Sequence, residues 1–246
     1  ITAILLHVVA VERWKWPAWV AWCATAVFLT VDMAFFGANL IKVLQGGWLP
    51  IAIGLVIFTL MTTWKTGRRL LAARLTARAI PIEDFVARIV TAPPTRVPGT
   101  AVFMTAQPTG TPPALAHNLR YNKVLHEHVV ILTVTTTRTP QVLPEDQVTV
   151  DRLGYGLFNV RIQFGFMQDP NVPQALTRAR EMGLELDMDD ITYFLGRETI
   201  IVTARQGMAI WRERLFVLMA RNAGRATEFF KLPIERVVEL GVQVEM

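Results

Sequence analysis

The chain has one cysteine, Cys23, and no serine in its 246 residues. One thiol cannot close a disulfide within the chain, and no Cys-based metal site can be built from it. Cys23 also lies inside an apolar run, so neither a serine nor an accessible cysteine nucleophile is on offer. Phosphate-binding glycine loops are missing as well. No G-x-G-x-x-G or Walker A pattern occurs, and Gly154-Tyr155-Gly156 is too short to substitute for one. Charge is nearly absent from the front of the chain: residues 17–41 hold only Asp32, and residues 43–64 hold none. These absences leave an enzyme as the weakest reading.

What fills the front is apolar length. A helix crosses a hydrocarbon core of about 30 Å with roughly 20 mostly apolar residues. We therefore expect transmembrane helices over 17–41 and 45–64. The chain opens on Ile1, and residues 1–12 read as the end of a truncated span and the start of a cytoplasmic loop. No basic n-region or small-residue cleavage site marks a secretory signal. The expectation is a C-terminal fragment of a larger multi-span protein.

Lys and Arg near span ends mark the cytoplasmic side. Arg13 and Lys15 precede the first span, and Lys65, Arg68, Arg69, Arg74 and Arg78 follow the second with no acid before Glu83. The loop between the spans carries only Lys42, which places the Gly46-Gly47-Trp48 turn outside and the C-terminus in the cytoplasm. Trp14, Trp16, Trp19 and Trp22 gather near one interface, Trp48 at the other, and Trp64 closes the second span, as in an aromatic belt. The net charge of +5 is concentrated in the run after the second span, which favours anionic lipid over nucleic acid.

Residues 65–80 are expected as a basic juxtamembrane helix resting on the membrane surface, with Leu70, Leu71 and Leu75 on one side and arginine stems reaching water. Residues 81–246 then read as a cytoplasmic α/β domain. Pro81 with Glu83 and Asp84 starts a helix that Pro93-Pro94 stops near Thr91. Residues 97–105 are β-rich, 113–120 fit a helix, and 127–137 form the strongest strand, apolar on both faces as in a buried centre. Two strands, 147–153 and 157–166, join through Gly154 and Gly156. A helix follows over 172–182. Residues 191–204 split at Gly196 into two β pieces, 209–221 have helical spacing, and 236–244 are extended.

Few residues point to chemistry. Asp32 sits inside the first span, where a carboxylate is costly and usually faces protein or a water path. Asn39, two turns on, shares nearly the same face. Asp32 is either part of an ion or proton route or a packing residue that holds its helix against neighbouring spans. His117, His126 and His128 fall close together, and alternation puts the last two on one side of a strand. They are either metal ligands or ordinary polar residues at a strand mouth. Arg212, Arg214, Arg221 and Arg225 make a basic face that is either a solvated or membrane-facing surface or a site for an anionic regulator such as a nucleotide. No cofactor is expected.

Five strings carry a resemblance: VDMAFFGANLIKVLQGGWLPI, RVPGTAVFMT, LAHNLRYNKVLHEHVVILTV, YFLGRETI and LPIERVVELGVQVEM. Together they resemble the C-terminal part of the bacterial KUP/HAK/KT potassium uptake permeases, in order and almost end to end. The resemblance implies about a dozen spans with an inverted-repeat transporter architecture, of which this chain would hold the last two to three transmembrane helices plus the cytoplasmic α/β domain. It implies inward movement of K⁺, together with H⁺, across the cell inner membrane. The K⁺ ligands are then expected in earlier broken helices, so no ion ligand is assigned here, and Asp32 falls in a motif typical of the family's eleventh span. The implied partners are K⁺ and H⁺, membrane lipid, the remaining N-terminal transmembrane helices and a homodimer contact, with no nucleic acid. A membrane-tethered sensor domain binding a nucleotide or other anionic ligand is the competing reading.

Overall fold

The computed structural model describes residues 2–106, 110–184, 186–201, 207–224 and 226–245. The chain divides into two compact units, Ile1–Thr62 and Thr63–Met246.

The first unit is helical. Helix α1 (Thr2–Glu12) leads through a turn at Lys15, whose φ is 55°, into α2 (Ala18–Lys42), with Pro17 at its N-cap. The two helices pack through Ala3, Ala10 and Ala21, all buried. Small residues at such a seam let helix backbones approach closely, the device helices use where lipid supplies no hydrophobic drive. The large apolar side chains point outward instead: Phe28, Phe35, Phe36, Ile41 and Phe58 are all exposed. Only 11% and 6% of the most apolar windows of the two long helices are buried, so neither is the centre of a water-soluble core.

Two expectations fail here. The segment read as a loop between the spans is helical: Val43–Gly47 is a π-helical turn between α2 and α3 (Trp48–Arg78). Gly46, at φ +123°, is its one left-handed residue, while the flanking Lys42, Val43 and Trp48 keep right-handed helical angles. A Gly-Gly pair signals a turn only when the neighbours also leave the helical region. The second span also does not end at Trp64 to restart as a separate surface helix. Helix α3 runs unbroken to Arg78, because nothing between Trp64 and Arg78 interrupts its hydrogen bonding and Gly67 is tolerated inside it.

The second unit is an α/β/α sandwich that also uses the C-terminal half of α3. Its elements are α4 (Ile82–Thr91), β1 (Thr95–Thr105), α5 (Pro113–Asn122), β2 (Val124–Thr136), β3 (Val148–Gly154), β4 (Leu157–Phe164), α6 (Val172–Glu181), β5 (Ile191–Ile201), α7 (Ile210–Arg221), α8 (Ala226–Phe229) and β6 (Val237–Glu245). The six strands lie in the order β3-β4-β2-β1-β5-β6. All neighbours are parallel except the β3–β4 hairpin, which turns at Gly154, Tyr155 and Gly156 with φ values of 86°, 52° and 75°.

Strand β2 is the central strand its sequence announces, buried on both faces from Val129 to Thr133. On one face Val102, Val130, Leu132 and Val160 meet Val172, Leu176 and Ala179 of α6. On the other, Ala101, Phe103, Val129 and Ile131 meet Phe85 and Ile89 of α4 and Leu115 of α5, with Phe103 stacked on Phe194 at 4.6 Å. A third cluster joins Leu71 of α3 to Phe216 of α7 and to Val242 and Val244 of β6. The expected break in the strand after Ile191 is absent: β5 passes through Gly196, which pairs with Leu240, and continues to Ile201. The remainder of that expected piece, 202–204, lies outside the described residues. Ladder pairing on both sides of the glycine outweighs its weak strand propensity.

Candidate functional site

Asp32 lies exposed on α2, and no partner for it occurs among the described residues. Asn39 is exposed and donates through Nδ2 to the Phe35 carbonyl at 2.9 Å, a bond within its own helix. The two side chains share a flank of α2 but are not brought together. The polar centre of this unit is one the sequence reading passed over. Thr25 donates its hydroxyl proton to the Ala21 carbonyl at 2.7 Å, so it accepts from His7 Nδ1 at 3.0 Å. The His7 ring also packs on Trp22 at 4.4 Å. A histidine inside an apolar run was the available signal. A lone His, however, does not show which helix it meets.

The three histidines of the second unit do not converge. His117 sits edge-on to Tyr121, His126 edge-on to Phe194, and His128 stacks near Phe158. The rings they meet belong to different core clusters, Phe194 to one and Phe158 to the other. Along β2 the alternation holds, with Leu125, Val129 and Ile131 in one cluster and Val130 and Leu132 in the other, and the β1 bulge between Val97 and Thr100 lies opposite these histidines. Among the described residues no group of three His, Cys, Asp or Glu side chains could hold a metal. Burial lowers the His126 pKa, and the Asp190 charge works against that shift. Beside it Arg96 donates to the His126 carbonyl at 2.7 Å and the Tyr155 carbonyl at 2.8 Å, and burial lowers its pKa too. This guanidinium ties β1, β2 and the hairpin together. Its role is structural.

The topology itself marks another place. From β1 the chain moves one way through β2 to β4, then returns to the opposite side of β1 with β5 and β6. In open α/β sheets the crevice beyond the carboxyl ends of strands, at such a reversal, is where ligands bind. Here it is a cavity of about 430 Å³ at the carboxyl end of β1 and beside the middle of β5, bounded by Met104, Thr105, Leu195, Gly196, Phe230 and, from α3, Arg68. Glu198 also reaches it. Its walls are mostly apolar, with a small number of charged groups, the usual make-up of a small-molecule pocket. A larger, shallower hollow of about 660 Å³ lies between α5 and the edge strand β6, beside His117 and Tyr121. Among the described residues its lining includes no Asp, Glu, Lys or Arg.

The basic face expected on the late helix is divided. Arg212 Nε donates to Thr63 Oγ1 at 3.0 Å and is half-buried, while Arg214 and Arg221 are exposed. Arg225 lies outside the described residues. Between them Glu213 is 1% exposed, with neither carboxylate oxygen partnered.

A family model described as the K+ potassium transporter integral membrane domain matches residues 1–69. A second, described as the K+ potassium transporter C-terminal domain, matches residues 98–246. The chain belongs to the K⁺ potassium transporter family. Its first unit therefore falls within the membrane-domain match, and residues 98–246 of its second unit match that family's C-terminal domain. The chain is 51% identical over 246 residues to the probable potassium transport system protein Kup of Myxococcus xanthus (strain DK1622), covering all of this chain and 38% of that protein. It is 50% identical over 247 residues to the probable potassium transport system protein Kup 1 of Geobacter sulfurreducens, covering all of this chain and 39% of that one. The chain thus spans about two fifths of the length of the curated relatives it matches. No solved structure matches it.

Proposed function

We propose that this chain is the C-terminal portion of a potassium transporter of the inner membrane that carries K⁺ inward together with H⁺. In this reading residues 17–41 and 45–64 are spans of an inverted-repeat transporter, and the domain after them lies in the cytoplasm, where it regulates or stabilises the transport core. One observation carries it: two long helices whose apolar side chains face outward, in a chain matched over its front by the family's membrane domain. The positive-inside bias supports a cytoplasmic C-terminus. The ion ligands are assigned to helices outside this chain, since K⁺ coordination needs several oxygens from unwound backbone. The spans here are α-helical over Ala18–Lys42 and from Trp48 onward.

The test is K⁺ uptake by the full-length protein in cells lacking other K⁺ systems. Restored growth at low K⁺ is expected, and well-expressed protein that gives no rescue sinks the proposal. Asp32→Asn separates the two roles of that carboxylate. If it titrates during transport, the variant folds and inserts but loses the pH dependence of uptake. Unchanged uptake at every pH leaves Asp32 a packing residue.

The cavity at the strand reversal favours a second reading, in which the C-terminal domain senses a nucleotide or another anionic ligand, with Arg68 as the charged contact. Calorimetry on residues 63–246 with common nucleotides tests it. Heat of binding that Arg68→Ala abolishes supports a sensor, and no binding by any of them removes it.

A further inference from the structure

We propose that α7 is an interfacial membrane helix, its outer face bedded in the headgroup layer of an anionic bilayer. The inner face of α7 is fixed to α3 at one level. Arg212 bonds Thr63, the Phe216 ring lies 5.5 Å from the Trp64 ring, and Gly67 leaves the space that the Phe216 ring occupies. In α3 the charge-free run ends at Trp64 and the first charge is Lys65. The level at which α7 is held is thus the level at which α3 changes from apolar to basic.

The outer face of α7 suits that depth. Trp211, Arg214, Leu218 and Arg221 recur at helical spacing and are all exposed, with Trp211 at 58% and Leu218 at 60%. A helix that alternates Trp and Leu with Arg on its free face has the make-up of one lying in the interface, with aromatic and aliphatic groups inserted and guanidinium heads at the phosphates. The charges agree. From Thr63 to Arg78 and along α7 the only acid is Glu213, which is buried, while Lys65, Arg68, Arg69, Arg214 and Arg221 are exposed. Anionic headgroups complement such a surface. A second copy of the same face, brought in by two-fold symmetry, would set like charges against like. The inference rests on α3 entering a bilayer and is independent of K⁺ transport.

The test uses the whole chain with Cys23→Ala, spin-labelled at Trp211→Cys or Leu218→Cys, in vesicles of phosphatidylcholine with phosphatidylglycerol. Labels at Phe58→Cys and Tyr155→Cys, both exposed positions, report lipid and water. We expect labels 211 and 218 to collide with oxygen more than with a water-soluble nickel complex, at a depth of about 5–10 Å. Adding Arg214→Glu to the Leu218→Cys protein, or omitting the anionic lipid, shifts the label toward water. Ile210→Cys replaces any variant that fails to insert. Nickel access at 211 and 218 equal to that at 155 overturns the proposal. Exclusion of both reagents there overturns it too, since protein would then cover the face. A Phe58 label in water would defeat the membrane reading of α3 itself.

Discussion

At the scale of single residues, the contact between Gly67 and Phe216 sets how the end of α3 joins the C-terminal domain. A Cβ built on Gly67 would stand 2.4 Å from Phe216 Cδ2, and Phe216 is fully buried, so its ring has nowhere to go. Gly67→Ala would raise helix propensity in isolation, by about 1 kcal/mol. Here we expect the clash to win, with a net loss of about 1–3 kcal/mol from overpacking. Thermal melting in detergent measures it, and Gly67→Ala with Phe216→Leu should recover part of the loss. His126 gives the pH dependence. Burial holds its folded pKa below the ordinary value near 6.5, so the unfolded chain binds more protons in that range. Its contribution to stability is complete above about pH 6.5 and is lost as the pH falls from there through the lowered folded pKa. The melting temperature should decline from pH 7 to pH 5, and His126→Gln should flatten that slope.

At the scale of elements, what could be read in advance followed backbone periodicity and breakers. Strand β2 was legible because five successive apolar or β-branched residues fit only a doubly covered strand, and α4 because Pro81 and Pro93 frame it. The continuation of β5 through Gly196 was not legible, because pairing to β6 is non-local information. Nor could sequence show the His126–Phe194 contact, which a bulge in a neighbouring strand accompanies, or the cavity at the strand reversal, which exists only once strand order is known. Gly196 joins these points in one experiment. A Cβ there meets nothing within 4 Å, and the residue lines that cavity. Gly196→Val should therefore keep the fold and add about 0.5–1 kcal/mol of strand stability. Under the sensor reading the same variant should lose ligand binding. A destabilised variant would mean that the space is not free.

At the scale of the whole molecule, composition alone separates an apolar quarter from a mixed remainder, but it puts the boundary in the wrong place. The basic run after Trp64 reads as a surface segment preceding the domain, whereas Thr63 begins the second compact unit and Leu70, Leu71 and Leu75 pack into its third core cluster. The lever is the arginines: four of them within eleven residues, Arg68 to Arg78, mask an apolar stripe that only tertiary packing on Phe216, Val242 and Val244 reveals. A protein starting at Ile80 discards that stripe, and a protein starting at Thr63 keeps it. Loss of a buried Leu costs about 2–5 kcal/mol, against a total domain stability of about 5–15 kcal/mol. The shorter protein should accordingly melt well below the longer one and bind a hydrophobic dye at 25 °C, as Phe216 and Val244 become accessible. Equal melting temperatures for the two would show that the domain begins after α3, and that the α3 stripe contributes nothing to its core.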